Sequence, residues 1–122
     1  MPKRQRVVAV VDDDPSTLRA IEALLDAHGW AAKAFASGEA FLDFGVSAEI
    51  DCLLLDVHLG GISGIELQRQ LTASGRILPV IFMTALADEA VRREALTVGC
   101  IAYLTKPFPA RQLFEAIDKA VA

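Results

Sequence analysis

Cysteine is scarce in this chain of 122 residues: Cys52 and Cys100 are the only two. That is too few for a disulfide scaffold, and their separation does not match metal-ligand spacing. Long apolar runs are missing as well. No uncharged stretch exceeds eleven residues, the length of Ile77 to Ala87, against the roughly 20 that a membrane-spanning helix needs. Basic charge is not in excess: sixteen acidic and twelve basic residues give −4, which excludes a dedicated nucleic-acid surface. The start Met1-Pro2-Lys3-Arg4-Gln5-Arg6 is basic, but no apolar stretch and cleavage site of a signal peptide follow. Linkers, repeats and low-complexity segments are also lacking. What is present is apolar. Hydrophobic residues make up 53% and charged ones 23%, which excludes a disordered tail. A chain of this length buries roughly two-thirds of its unfolded surface. One cytoplasmic, soluble domain is therefore expected over residues 1–122, with 1–5 as an N-terminal extension.

Short apolar runs alternate with amphipathic segments five times. Val7-Val8-Ala9-Val10-Val11 is rich in β-branched residues and short enough for a strand buried on both faces. Asp14 suits a helix N-cap, and Pro15 suits the first helical position, where its missing N–H would be unpaired anyway. Leu18, Ile21, Leu24 and Leu25 then recur at helical spacing up to the stop signal His28-Gly29. Ala31 to Phe35 is a weaker strand. Ser37 caps a short helix carrying Ala40, Phe41 and Phe44. The run Cys52-Leu53-Leu54-Leu55 leads straight into Asp56. The loop Gly60-Gly61-Ile62-Ser63-Gly64 precedes a helix with Leu67 and Leu71 on one face. Pro79 to Met83 is the fourth strand, and Asp88 to Val98 a helix whose apolar face (Ala87, Val91, Ala95, Val98) is thin. Ile101 to Leu104 is the fifth strand, followed by a last helix with Leu113, Ile117 and Val121 inward.

Five such units imply a parallel α/β sheet with helices on both faces, because parallel neighbours need a crossover. Ligands in these sheets bind beyond the carboxyl ends of the strands. Asp12 and Asp13, Asp56, Thr84 and Lys106 each follow a different strand, so four loops converge on one crevice. Carboxylates crowded together repel one another, and burial adds to the cost. A divalent cation relieves both. Magnesium suits this all-oxygen set, and zinc does not, because no cysteines or histidines cluster. A carboxylate beside magnesium is also a competent nucleophile toward phosphorus. Asp56 fits that part because it ends the central apolar strand. Asp12 and Asp13 would hold the metal, while Lys106, Thr84 and nearby backbone N–H groups would meet the oxygens of the moving group. No leaving-group acid or water activator is evident, so the site suits retention of a phosphoryl group rather than turnover. Tyr103, three residues before Lys106, could fill space vacated by Thr84 if the new charge pulls Thr84 inward.

Four motifs together resemble the receiver domain of bacterial two-component response regulators: Val10-Val11-Asp12-Asp13-Asp14, Leu53-Leu54-Leu55-Asp56, Ile81-Phe82-Met83-Thr84-Ala85 and Tyr103-Leu104-Thr105-Lys106-Pro107-Phe108. The similarity runs from about Arg6 to the C-terminus. The resemblance implies a flavodoxin-like doubly wound (βα)5 fold with strand order 2-1-3-4-5. It implies Asp56 as phosphoacceptor from the phosphohistidine of a sensor histidine kinase, and Asp12, Asp13, Asp56 and the His58 backbone carbonyl as Mg2+ ligands. Thr84, the Ala85 backbone N–H, Tyr103 and Lys106 would form the phosphate-binding and switch set, and the Lys106–Pro107 bond would be cis. The output would be an attached domain or a downstream protein, reached through the face made by the fourth helix, fifth strand and fifth helix, or a phosphorylation-dependent homodimer. No direct nucleic-acid or membrane contact is expected. The segment Ser37-Gly38-Glu39-Ala40-Phe41-Leu42 and Lys106-Pro107-Phe108 resemble receivers of the nitrogen-fixation regulator type. Many receivers carry Met-Pro where Leu59-Gly60 stands here, so this loop should be looser. Leu86 cannot orient a water, which implies a long-lived phosphoryl group.

Blander readings stand beside these. Asp14 is a cap and nothing more, and the His58 side chain faces solvent. Arg92 and Arg93 form a solvated face or a partner contact, and Cys52 and Cys100 are small buried residues. Trp30 packs over the end of the first helix. Two rivals to the switch reading remain. An aspartyl-phosphate hydrolase of the usual kind needs a second aspartate two residues after its nucleophile, where His58 stands. A binding module is the other, either for flavin, whose phosphate the aspartates would repel, or a receiver-like interaction module that has lost phosphorylation, although Asp56 and Lys106 are both present.

Overall fold

The computed structural model describes residues 5–44, 49–85 and 88–122. Its elements alternate strictly: β1 (Val7–Val11), α1 (Pro15–Ala27), β2 (Ala31–Phe35), α2 (Gly38–Phe44), β3 (Cys52–Asp56), α3 (Gly64–Ala73), β4 (Val80–Thr84), α4 (Glu89–Val98), β5 (Ala102–Thr105) and α5 (Ala110–Val121). The strands form one parallel sheet in the order β2-β1-β3-β4-β5. Every residue of the central strands β1, β3 and β4 is buried, whereas β2 and β5, at the edges, are only partly covered. That difference explains why the central runs are continuously apolar and β2 is weaker in sequence.

Successive strand residues point to opposite faces. Val8, Val10, Cys52, Leu54, Ile81, Met83 and Leu104 meet Leu18, Ile21 and Leu25 of α1 and Leu113 and Ile117 of α5. Ala9, Val11, Leu53, Leu55 and Phe82 meet Phe41 of α2, Leu67 and Leu71 of α3 and Ala95 of α4. Two cores result, one on each side of the sheet.

The helix starts follow local chemistry. Asp14 accepts the Ser16 N–H at 3.0 Å, Ser37 accepts that of Ala40 at 3.0 Å, and Ser63 accepts that of Glu66 at 3.1 Å. Asp88 does the same for Ala90 at 2.9 Å. Gly64 opens α3 because a Cβ there would lie 2.1 Å from the Asp56 carbonyl oxygen. Only glycine permits that approach of helix to strand.

Some positions differ from the sequence expectation. β4 starts at Val80, although the Pro79 carbonyl still accepts the Leu53 N–H at 2.9 Å; proline itself has no N–H to give a ladder. β5 starts at Ala102 and leaves Ile101 40% exposed. Ala40 is exposed, Phe44 is 45% exposed, and Leu24 and Val121 are half-buried. Ala87, assigned to the apolar face of α4, lies outside the described residues, as do residues 1–4 of the N-terminal extension. Trp30 is buried against Phe114 of α5 and His28 at the end of α1.

Cys52 is fully buried, whereas Cys100 is only half-buried, contrary to the expectation for it. Burial, reinforced by the Asp51 charge, pushes the Cys52 thiol up to about 12. At pH 8 its thiolate fraction is therefore negligible, and the thiolate is the reactive form. A thiol-directed alkylating reagent at pH 8 should label Cys100 in the native protein and leave Cys52 untouched until the protein unfolds. Peptide mass mapping checks this, and labelling of Cys52 at the rate of Cys100 contradicts it.

Candidate functional site

The strand period fixes which side chains can meet. Asp12 continues the alternation of Val8 and Val10, Asp56 that of Cys52 and Leu54, and Lys106 that of Leu104. All three project from the same face of the sheet at its carboxyl edge. The Lys106 Nζ donates to Asp12 Oδ2 at 2.6 Å and to Asp56 Oδ2 at 3.1 Å. These residues come from strands that are not all neighbours, since β3 and β4 stand between β1 and β5. The other oxygens of the two carboxylates take backbone donors: the Asp14 N–H to Asp12 Oδ1 at 2.9 Å, and the His58 N–H to Asp56 Oδ1 at 3.0 Å. Asp13 is exposed beside them and accepts the Gly60 N–H at 3.2 Å.

One carboxylate oxygen from each of Asp12, Asp13 and Asp56 lies within 4.8 Å of the others. Asp12 and Asp56 are 1% and 6% exposed. At an effective dielectric of about 20, two like charges at that separation repel by about 3 kcal/mol. A single ammonium offsets part of this, but three carboxylates and one lysine leave two negative charges in excess. Burial raises the Asp56 pKa, with the Asp12 charge acting in the same direction, while the His58 N–H and Lys106 oppose the rise. Burial works to lower the Lys106 pKa. The hydrogen bond to Asp12 and the charge of Asp56 outweigh it, so the ammonium is held above its ordinary value.

Thr84 is fully buried and follows Met83, the register partner of Asp56. It shares the parity of Val80 and Phe82 and so belongs to the opposite face of the sheet from Asp56. Its carbonyl accepts the Lys106 N–H at 2.7 Å, tying the two loops together. Ala85 is exposed next to it. Tyr103 pairs in register with Phe82, packs against the core on that same face, and lines a cavity of about 150 Å3 with Asp88, Glu89, Arg92 and Thr105. Its hydroxyl is enclosed and has no hydrogen-bond partner among the described residues. Burial, then the Asp88 charge, raises its pKa. The His58 side chain is exposed, and the Lys106–Pro107 bond is cis. Leu86, from which a long phosphoryl lifetime was expected, lies outside the described residues. Arg92 and Arg93 are exposed, and Arg92 lies 3.6 Å from Glu89.

The backbone donors on the acidic set were not foreseen from the sequence. The signal for one of them was the Gly60-Gly61 pair, which lets the main chain approach another loop. The loop is also less free than its glycines suggest. Besides the Gly60 bond, the Ile62 N–H donates to Glu39 Oε2 at 2.9 Å and the Gly64 N–H to the Val57 carbonyl at 3.0 Å.

A doubly wound sheet with three aspartates and a lysine at its carboxyl edge is the layout of a receiver. The chain belongs to the response regulator receiver domain family, whose model matches residues 8–118. It is 35% identical over 121 residues to the response regulator protein TmoT of Ectopseudomonas mendocina, covering 99% of this chain and 55% of that protein. It is 37% identical over 110 residues to the transcriptional regulatory protein FixJ of Azorhizobium caulinodans, covering 90% of this chain and 52% of that protein. The crystal structure of FixJ-N superposes with a TM-score of 0.90 at 30% identity, covering 98% of this chain and 95% of that one. The chain thus spans about half the length of the curated relatives it matches, and the likeness to receivers of the nitrogen-fixation regulator type is found again in these relatives.

A carboxyl whose folded-state pKa is raised favours folding only while protonated. That contribution is complete below the unfolded value near 4 and is lost as pH rises through the higher folded value. At pH 7 the Asp56 charge therefore costs stability. In metal-free buffer, Asp56→Asn should stabilise the protein at pH 7 by about 1 kcal/mol, the scale on which buried ionic groups oppose folding. The gain should shrink as pH approaches 4. Urea denaturation at the two pH values checks this, and a less stable variant at pH 7 contradicts it.

Proposed function

We propose that the chain is a single receiver domain that accepts a phosphoryl group on Asp56 in a Mg2+-dependent reaction, from the phosphohistidine of a sensor histidine kinase. The observation that carries this reading is the Lys106 ammonium seated between Asp12 and Asp56 while Asp13 closes the acidic set. The donors fit magnesium: they are carboxylate oxygens, and their net charge of two negative units, counting Lys106, matches a dication. Asp12, Asp13 and Asp56, with the backbone carbonyl of His58, would hold it. Bound magnesium supplies positive charge and a coordination position for a phosphoryl oxygen.

The protein's own groups account for the rest. An Asp56 oxygen forms a bond to phosphorus as the bond from phosphorus to the donor nitrogen breaks. The leaving imidazole retains the electron pair and takes up a proton. Lys106, already held on Asp56 Oδ2, meets the charge that develops on the transferred oxygens. The Thr84 hydroxyl and the Ala85 N–H lie on the adjoining strand end, where they would receive the remaining oxygens. Thr84 would be drawn toward the new charge and carry the start of α4 with it, and Tyr103 would follow into the space released. The set suits retention of the phosphoryl group, so the chain would act as a switch.

α4 supports its assignment as the moving part. Ala95 is its one buried residue, whereas α3 buries five and α5 three. An element with little apolar burial is cheap to displace. The α4-β5-α5 face would pass the signal to an output domain, a downstream protein or a second phosphorylated copy. Three curated relatives are named transcriptional regulatory proteins, which makes transcription control the natural output, exerted through a partner domain because this chain is itself acidic. No helix of the described residues is long and apolar enough to cross a membrane, and a cytoplasmic location fits a kinase partner of this type.

Incubation with a small-molecule acyl phosphate and Mg2+, followed by intact-mass measurement, tests the reading. One PO3 unit should be added to the wild type, and none to Asp56→Asn or in the presence of a chelator. Equal addition to Asp56→Asn contradicts it.

A further inference from the structure

The geometry points to Glu39, at the start of α2, as a positioning residue for the phosphoryl site, fixing the β3–α3 loop so that the backbone of His58 and Gly60 meets the acidic cluster. This rests on the reading of that cluster as a magnesium and phosphoryl site. Residues 57–63 join β3 to α3. Two of their N–H groups serve the cluster, His58 on Asp56 Oδ1 and Gly60 on Asp13 Oδ2. The side chains of Leu59 and Ile62 pack against the core and anchor the loop at two points. Side-chain anchors leave the peptide planes between them free to turn, and Gly60-Gly61 is the least restrained dipeptide a chain can carry.

Glu39 removes that freedom. Its Oε2 accepts the Ile62 N–H at 2.9 Å. The same carboxylate lies flat against Gly61, where a Cβ would come within 2.7 Å of Oε2, and Gly61 sits at φ +77. The start of α2 is itself pressed onto the loop, since a Cβ on Gly38 would lie 2.6 Å from Ile62 Cγ2. Two glycines, Gly38 and Gly61, thus bring α2 and the loop within reach of one carboxylate, and an N–H held by a charged acceptor is among the stronger hydrogen bonds.

Apart from placing a favourable charge in the first turn of α2, Glu39 has no other contact that the described residues require. The side chain is exposed, α2 is capped by Ser37 and held down by the fully buried Phe41, and no ion pair involves Glu39 among the described residues. Loss of this side chain should therefore leave the fold intact and act on the loop. Groups that orient the ligands of a metal are commonly worth a tenfold or larger change in its affinity.

The test compares wild type, Glu39→Ala and Glu39→Gln, the last keeping an amide oxygen that can accept the same N–H. In metal-free protein, amide exchange at Ile62 read by nuclear magnetic resonance should be roughly tenfold faster in Glu39→Ala and near the wild-type rate in Glu39→Gln. Mg2+ titration should show roughly tenfold weaker binding in Glu39→Ala and near wild-type binding in Glu39→Gln, with cooperative urea unfolding retained in all three. Unchanged Ile62 exchange in Glu39→Ala overturns the proposal, as does unchanged Mg2+ affinity, or an equal loss in Glu39→Gln. A wild type that takes up no Mg2+ overturns the parent reading and the proposal with it. That failure is told apart because the exchange contrast among the three proteins would persist.

Discussion

One ammonium between two buried carboxylates organises the functional end of this protein. Lys106 reaches from the loop after β5 to Asp12 after β1 and Asp56 at the end of β3. It thereby closes the crevice across the whole central part of the sheet. The pairing does not neutralise the site, because Asp13 adds a third negative charge at the same place. A buried cluster left with excess charge of one sign is costly by itself. The same excess makes it receptive to a dication and then to a group whose charge Lys106 and the strand-end donors can meet.

The two-sided sheet makes this arrangement geometrically secure. Because β1, β3 and β4 are buried on both faces, none can slip register without driving its apolar side chains out of one core and into the other. The positions of Asp12 and Asp56 are therefore set by Val8, Val10, Cys52 and Leu54, residues with no chemistry of their own. The parts proposed to move are placed on weaker ground. Thr84 and Tyr103 belong to the other face of the sheet, next to α4, whose one buried residue is Ala95 and whose Val91 and Val98 are only partly covered. In the proposed switch, chemistry would thus be attached to the rigid core and response to the loosely held edge.

Most of this was legible in the sequence, for physical reasons that can be named. Doubly buried strands read as unbroken apolar runs, so β1, β3 and β4 were found within a residue or two. Asp14-Pro15 and Ser37 marked helix starts through their capping chemistry, whereas Ser63-Gly64, which cap and open α3, were read only as loop. Side chains at strand ends could be assigned to one crevice because parallel sheets gather their ligands there. Less legible were features that depend on main-chain approach. The donors from Asp14 and His58 carry no residue-type signature, since any peptide N–H can make them, and only the Gly60-Gly61 pair pointed to the third. Gly60-Gly61 suggested a loose loop, whereas the loop is tethered by Asp13 and Glu39, a long-range pairing that no local pattern encodes. Cys100 looked like its buried counterpart Cys52 because both lie among apolar neighbours in sequence, yet it sits where the sheet edge thins out.

In the proposed function, Asp12, Asp13 and Asp56 tolerate one another by sharing a hard dication. The most direct measurement is anomalous diffraction from crystals soaked in Mn2+, which takes the same oxygen ligands as magnesium. A single anomalous peak within coordinating distance of all three aspartates, with Lys106 still beside Asp56, is the expected result. A peak elsewhere, or none at a Mn2+ concentration well above that of the protein, would contradict the account.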